Sequence, residues 1–426
     1  MRRLFAAVLP SMHALGTYRH YNRRRRRFTA PSFLISEERR LTHLWVLGKT
    51  GMGKSTFLLN SIWQDMRAGR GCVVLDPKGD LALDVLAIVP PARRRDVIYF
   101  DPADIAFPVG FNPLSNVMPD QRPLVIATAV DALHSLWPDS WGPQLQQFLE
   151  ASIGALLEAP GAALPGIGLM LTSKRFRERT LTYVNDIGLR SFWLRDFQHM
   201  SDREQRDRSL STLNKVAQFF NDFRMRNILG QTRSSLDFDD VLSSRKLFIA
   251  NLSQGQLGLG KSRLLGGLLV VSFYLAALRR PERHLFQFYV DEFQTFGAST
   301  FAEMLSILRG FGVAMTLAHQ FVDQLDPALF AALTGTVGTT VAFRLGTHDA
   351  ERLAPEFDRK PSDLTPLDPH TALVRTGSST IELDMPPCAA KRHPSGARRI
   401  RSNSRSRWAR PRAEVERAIA RYFEQA

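Results

Sequence analysis

Residues 44–56 read L-W-V-L-G-K-T-G-M-G-K-S-T, and the rest of the chain is arranged around them. The apolar run Leu44–Leu47 predicts a buried strand. It leads directly into Gly48-Lys49-Thr50-Gly51-Met52-Gly53-Lys54-Ser55, which fits G-x-x-x-x-G-K-[ST] at every fixed position. The glycines allow a tight bend that turns backbone N–H groups inward as a nest for phosphate oxygens. Lys54 can reach the β- and γ-phosphates, and the Ser55 hydroxyl suits Mg2+. The helix that follows directs its positive dipole end at the same anion. Its amphipathic start (Phe57, Leu58, Leu59, Ile62, Trp63) completes a strand–loop–helix context. Gly48, Thr50, Gly51, Gly53, Lys54, Ser55 and Thr56 are therefore the expected nucleotide-binding set.

Hydrolysis needs acids as well. A strand that delivers one carboxylate to Mg2+ and a second to the attacking water is the matching half of such a site. Phe286–Val290 followed by Asp291-Glu292 supplies both, with Asp291 beside the metal and Glu292 as the base. Arg309 lies in the turn Leu308-Arg309-Gly310-Phe311-Gly312, and Gln320 ends the apolar run that begins at Val313. Gln320 could sense the γ-phosphate and Arg309 could reach a neighbouring subunit. On spacing alone, a capped strand end and a surface arginine fit these two residues equally well. Ten histidines and two cysteines offer no HExxH, CxxC or close ligand pair, and no Gly-x-Ser-x-Gly elbow occurs. Phosphoryl chemistry is the catalysis the chain advertises.

The order of segments predicts the architecture. Gly71–Asp76 and Val97–Asp101 are apolar runs ending in acids, separated by a helical stretch at Leu81–Val89. Strands alternating with helices imply a parallel sheet with both faces covered, and ligands beyond the carboxyl ends of its strands. Asp76, Lys78 and Asp101 fall there. Residues 118–237 change character, with helical spacing at Ile126–Leu136, Leu145–Leu157 and Leu210–Ile228. Strand patterns return at Lys246–Leu252, His284–Val290, Val313–Gln320 and Thr340–Arg344. The expected fold class is α/β, a P-loop sheet covered by helices with an inserted all-helical domain. The expected divisions are a basic, poorly ordered leader at 1–32, the sheet domain at 33–117 and 238–385, and the helical insertion at 118–237. A basic mobile tail ending in a short helix occupies 386–426.

Charge is concentrated at the two ends. The 426 residues carry a formal +15, yet residues 1–40 hold ten Arg against two Glu. Residues 391–412 hold nine Lys or Arg and no acid, which leaves −2 for everything else. Basic flanks on a neutral body suit a polyanion, either nucleic acid or an anionic membrane surface. The most apolar run, Leu264–Leu278, is shorter than the ~20 residues a spanning helix needs and reads as a buried helix. A reducing cytoplasm is the expected location, with the flanks permitting peripheral contact at the inner membrane.

The chain resembles the type IV secretion coupling proteins (TraD/TraG-like), ring ATPases related to the FtsK and HerA DNA pumps. The resemblance rests on GKTGMGKST at 48–56, LDPKGD at 75–80, FNPL at 111–114 and WGPQLQQFLE at 141–150. It continues through VDEFQTF at 290–296, RGFGVAMTLAHQ at 309–320, FRLGTHDAERLAPEF at 343–357 and ARPRAEVE at 409–416. It implies a RecA-like domain that hydrolyses ATP with Mg2+, using Glu292, Gln320 and, in trans across a hexameric ring, Arg309. It also implies DNA as partner, single-stranded foremost and double-stranded through the same phosphate contacts, together with relaxosome or secretion-channel proteins. Members carry two N-terminal membrane helices, and no stretch here reads as those. The competing expectations are a cytoplasmic HerA-like DNA translocase or helicase, and a nucleotide-dependent cargo adaptor without turnover.

Overall fold

The computed structural model describes residues 12–17, 20–22, 27–29, 31–134 and 136–424. The leader's apolar stretch 4–9 and arginines 23–26 lie outside them. The strands are β1 (Met12–Thr17), β2 (His20–Asn22), β3 (Arg27–Thr29), β4 (Ser32–Ser36), β5 (Leu44–Leu47), β6 (Cys72–Asp76), β7 (Val97–Phe100), β8 (Leu247–Asn251), β9 (Phe286–Val290), β10 (Val313–His319), β11 (Thr339–Ala342), β12 (Thr371–Thr376) and β13 (Ser379–Asp384). Among the described residues eleven of these form one sheet, in the order β4-β1-β13-β12-β11-β5-β10-β9-β6-β8-β7. Two compact units divide the chain: residues 1–99, 239–251 and 276–402, and residues 100–238, 252–275 and 403–426.

The first unit holds the sheet. Strands β11, β5, β10, β9, β6 and β8 run parallel. All residues of β5, β6, β9 and β10 are buried, the signature of strands covered on both faces. Strand β10 sits between β5, which feeds the phosphate-binding loop, and β9, which ends in Asp291-Glu292. Three adjacent strand ends therefore deliver Gly48, Gln320 and Asp291 to the same edge.

A buried ionic knot locks the helix Lys54–Arg67 to β9. Asp65, fully buried on that helix, takes a two-pronged bond from the equally buried Arg40 at 2.5 and 2.8 Å. The Tyr289 hydroxyl bonds both partners, accepting from Arg40 at 2.9 Å and donating to Asp65. Arg70 reaches Asp65 at 3.2 Å and also pairs with Glu37. Burial alone would raise the Asp65 carboxyl, but the Arg40 guanidinium outweighs it and holds the pKa at about 2.

The leader differs from expectation. Strand β1 lies inside the sheet, paired antiparallel with β4 and β13, so the folded part begins well before Phe33. Its residues His13–Thr17 are buried, and the Gln64 side-chain amide bonds both the N–H and the carbonyl of Ala14, at 2.8 and 3.0 Å. A short apolar strand among arginines outweighs the surrounding charge because it has a sheet edge to join. The hairpin β12–β13, closed by Gly377 at φ 60°, is a further addition to the predicted strands.

The tail also differs. Pro394–Trp408 is helical and not a mobile segment, and Arg412–Glu424 forms the closing helix. Gly396, Ile400 and Ser404, four residues apart, are its buried stripe, and Ile400 joins the sheet domain's core. Arginine is a good helix former, so an Arg-rich stretch with one packed face orders readily.

The second unit is helical and wider than the predicted insertion, since it takes in residues 100–117 and the closing helix. The helices Arg122–His134 and Pro143–Glu158 match the predicted stretches. The stretch Leu210–Ile228 is broken: Asp202–Phe220 ends at Asn221, and Asp222 caps Phe223–Leu229. The charge-dense 201–208 is the capped start of the first of these, where Ser201 and Glu204 form a capping box. Its aromatic core gathers Phe148, Phe192, Trp193 and Phe197. The helix Leu259–Arg279 is long and apolar enough to cross a membrane, and 78% of its most apolar window is buried within the protein.

Candidate active site

The loop 48–53 bends as its glycines require. Gly48, Gly51 and Gly53 have φ of 147°, 78° and 121°. At two of them space is also decisive. A Cβ on Gly48 would stand 2.6 Å from the Phe343 Cβ, and one on Gly53 would stand 2.8 Å from the Phe343 ring and 3.1 Å from His370. The loop is thus pressed against the end of β11 and the start of β12. Lys49 N–H donates to Arg344 at 3.0 Å, and His370 N–H donates to Met52 at 2.8 Å, fixing both flanks.

Lys54 opens the helix, 7% exposed, with its ammonium bonded to the loop carbonyls of Gly48 and Lys49. Burial lowers its pKa, opposed by Glu292 and Asp291 nearby. Ser55 is exposed at the first turn, and Thr56 is half-buried beside it.

Asp291 and Glu292 cap β9 and are 5% and 6% exposed. Asp291 N–H donates to Leu75 across the β6–β9 ladder at 3.1 Å. Burial raises the Asp291 carboxyl to about 7, and the neighbouring carboxylates Glu292 and Asp76 push it the same way. Lys78 and Lys54 oppose the rise without cancelling it, so a divalent cation would be favoured beside this carboxyl, and carboxylate and hydroxyl oxygens such as those of Asp291 and Ser55 are the donors Mg2+ takes. Glu292 is held in left-handed backbone, φ 45° and ψ 50°. Such a conformation in a non-glycine residue marks local strain of the sort kept at functional positions.

A chain of side-chain bonds joins these elements. Thr50 Oγ1 donates to Gln320 Oε1 at 3.0 Å, and Gln320 Nε2 donates to Glu292 Oε1 at 2.6 Å. Lys78 Nζ reaches the same oxygen at 2.5 Å, while Gln294 Nε2 donates to Oε2 at 3.0 Å. Burial pushes Glu292 up, but the bonds from Gln294, Lys78 and Gln320 outweigh it and hold the carboxyl below its ordinary value. Behind Gln320, His319 accepts from the Trp45 indole at 2.9 Å and stacks on its ring, fixing the strand end.

The sequence-predicted residues Thr50, Lys54, Gln320, Asp291 and Glu292 are thus brought together. Arg309 is not. It is exposed in the turn before β10, at the opposite end of that strand from Gln320. Seven strand residues at ~3.3 Å each separate the two. Sequence reasoning placed Lys78 at the ligand edge of the sheet without giving it a role, and it did not single out Gln294. The turn Pro77-Lys78-Gly79 beyond a strand end was the available signal for Lys78; for Gln294, two residues past Glu292, there was none.

No protein-family model and no curated protein matches the chain. Solved structures do. The unbound bacterial conjugative coupling protein TrwBdeltaN70 superposes with a TM-score of 0.63 at 14% identity, covering 84% of this chain and 87% of that one. The chain shares the fold of that protein. TrwB in complex with ADP and Mg2+ gives 0.61 at 14% identity, over 85% of this chain and 89% of that one. VirB4 of Thermoanaerobacter pseudethanolicus, with 0.61 at 15%, is matched over 90% of this chain and 97% of that one. This fold is the expected RecA-like P-loop sheet with helices around it.

Proposed function

We propose that the protein is a Mg2+-dependent ATPase that moves DNA, or DNA with attached protein, as a coupling protein of conjugative or type IV secretion transfer. The observation that carries this reading is the bonded chain Thr50–Gln320–Glu292, which ties the phosphate-binding loop to the base through the strand between them. A TrwB structure holding ADP and Mg2+ has the same fold and supports the choice of ligand.

In this reading the loop N–H groups and Lys54 hold the β- and γ-phosphates. Ser55 and Asp291 hold Mg2+, which when bound neutralises the charge developing on the phosphate oxygens. Glu292 orients the attacking water and takes its proton. Gln320, bonded to both the loop and the base, responds when a γ-phosphate competes for Thr50. Arg309, exposed at the far end of β10, acts on the neighbouring subunit of a ring, and six subunits is the number we propose. DNA is held through phosphate contacts without sequence preference, and the arginines of 391–412 contribute to them. Relaxosome or channel proteins are the remaining partners, at the cytoplasmic face of the inner membrane.

The test is ATP turnover by the purified protein, with and without single- and double-stranded DNA, beside Glu292→Gln. Turnover that rises with DNA and drops at least ~100-fold in the variant is the expected result. Equal turnover in parent and variant would remove Glu292 from the mechanism. Nucleotide binding without turnover under every condition would favour a cargo adaptor.

A further inference from the structure

Lys78 is the one cation bonded directly to the base among the described residues, and its placement is built. It stands in the turn between β6 and the helix Asp80–Ile88. Asp76 shapes that turn with both oxygens: Oδ1 accepts from the Lys78 N–H at 2.8 Å and Oδ2 from the Ala82 N–H at 2.9 Å. Gly79 follows in left-handed backbone at φ 95°. Because β6 pairs directly with β9, the turn aims Lys78 across at Glu292.

The lone pairs of the carboxylate can be counted. Two oxygens offer about four acceptor sites. Lys78 and Gln320 fill Oε1, and Gln294 takes one site on Oε2. One site is left for a water, on an oxygen whose partner is tied down by an ammonium. A γ-phosphate at the loop competes for Thr50 and Gln320, and Lys78 is bonded to neither of them, so that competition leaves the Lys78–Glu292 bond in place. The two members of the pair differ in freedom. The Glu292 side chain is 8% exposed, whereas that of Lys78 is 46% exposed and can swing toward solvent. A release therefore moves the lysine, and the group that draws it away is an anion arriving from outside.

We propose that Lys78 is a positioning residue that keeps Glu292 turned from its water until a nucleic-acid phosphate takes the ammonium. The proposal rests on the ATPase reading and adds to it a physical link between polyanion and base. Hydrolysis without nucleic acid is slow because the carboxylate is held, and it rises on binding because Oε1 is freed.

The experiment measures ATP turnover and its dependence on a single-stranded oligonucleotide in the parent, Lys78→Met and Lys78→Arg. Binding of N-methylanthraniloyl-ATP is measured alongside in each. Lys78→Met is expected to raise DNA-free kcat about fivefold, the scale of one partly exposed ion pair acting on a two-state equilibrium. KM for ATP and binding of the analogue stay at parental values, and stimulation by DNA shrinks toward none. Lys78→Arg keeps the low basal rate and the response to DNA. A Lys78→Met protein whose basal kcat is unchanged or lower, with parental stimulation by DNA, overturns the proposal. Stimulation of the parent by inorganic phosphate to the same extent as by DNA overturns the assignment of the anion. Failure of the parent itself to bind the analogue overturns the ATPase reading instead, and is seen before any turnover is measured.

Discussion

Replacing Tyr289 by Phe removes one oxygen from the buried knot and leaves the ring in place. That hydroxyl donates to Asp65 and accepts from Arg40 at 2.9 Å, and all three residues are fully buried. Bonds to charged groups contribute about 1.5–3 kcal/mol, and water has no route to replace the lost partner, so the substitution costs about 2 kcal/mol. Asp65→Asn is more severe. It leaves Arg40, whose Nε already has no partner, buried without the anion that balances it. Breaking a buried pair from one side costs about 3–5 kcal/mol. Urea unfolding gives the totals. Because two compact units need not unfold together, amide exchange of the 286–292 segment assigns the loss to the sheet domain. Tyr289→Phe within about 0.5 kcal/mol of the parent, or Asp65→Asn no worse than Tyr289→Phe, would refute the view that the knot holds the helix Lys54–Arg67 to β9.

Two further outcomes are expected. Gly48→Ala must combine a disallowed φ with a 2.6 Å approach to Phe343, whereas Gly51→Ala meets open space and only the φ of 78°. Nucleotide affinity, read by titration with a fluorescent ATP analogue, should fall at least ~100-fold in the first and ~10-fold or less in the second. Stability should drop on acidification, because burial lowers His43 and His319 to about 4. The unfolded chain then binds protons that the folded one refuses, so the stability these residues contribute is present above pH ~6.5 and lost as pH falls toward 4. Each contributes about 2 kcal/mol of loss at pH 5, and His43→Gln should flatten the dependence of Tm on pH between 7 and 5.

The parts of the fold that were legible share one physical property. Strands β5, β9 and β10 are unbroken apolar runs because both faces are covered, and each ends abruptly in the polar group it delivers: Gly48, Asp291 or Gln320. The hairpin β12–β13 lies at the antiparallel side of the sheet, where only Ala372–Val374 and Leu383 are buried and the other residues are partly or fully exposed. TALVRT and STIELD therefore lack that contrast. Strand β1 was hidden by neighbouring arginines, and the helix Pro394–Trp408 by a Ser-Arg composition that resembles a linker. In the site, Lys78 and Gln294 act through tertiary geometry: one arrives from the adjacent strand's turn and the other folds back on its own chain. The turn after β6 places Lys78 at the right edge of the sheet, but neither spacing nor residue type records its bond to Glu292 or that of Gln294.

The pairing of β1 between β4 and β13 bears on how the chain can be shortened. Trimming the arginine-rich leader is an obvious way to reduce non-specific binding of polyanions. A chain starting near Phe33 would lose that middle strand, baring the backbone N–H and C=O groups of β4 that β1 pairs and cutting β4 off from the sheet. Unpaired edges invite strand addition from other molecules. Shortening from this end would thus exchange a sticky charge for a sticky edge, and replacing the arginines of the leader while keeping residues 12–17 avoids both.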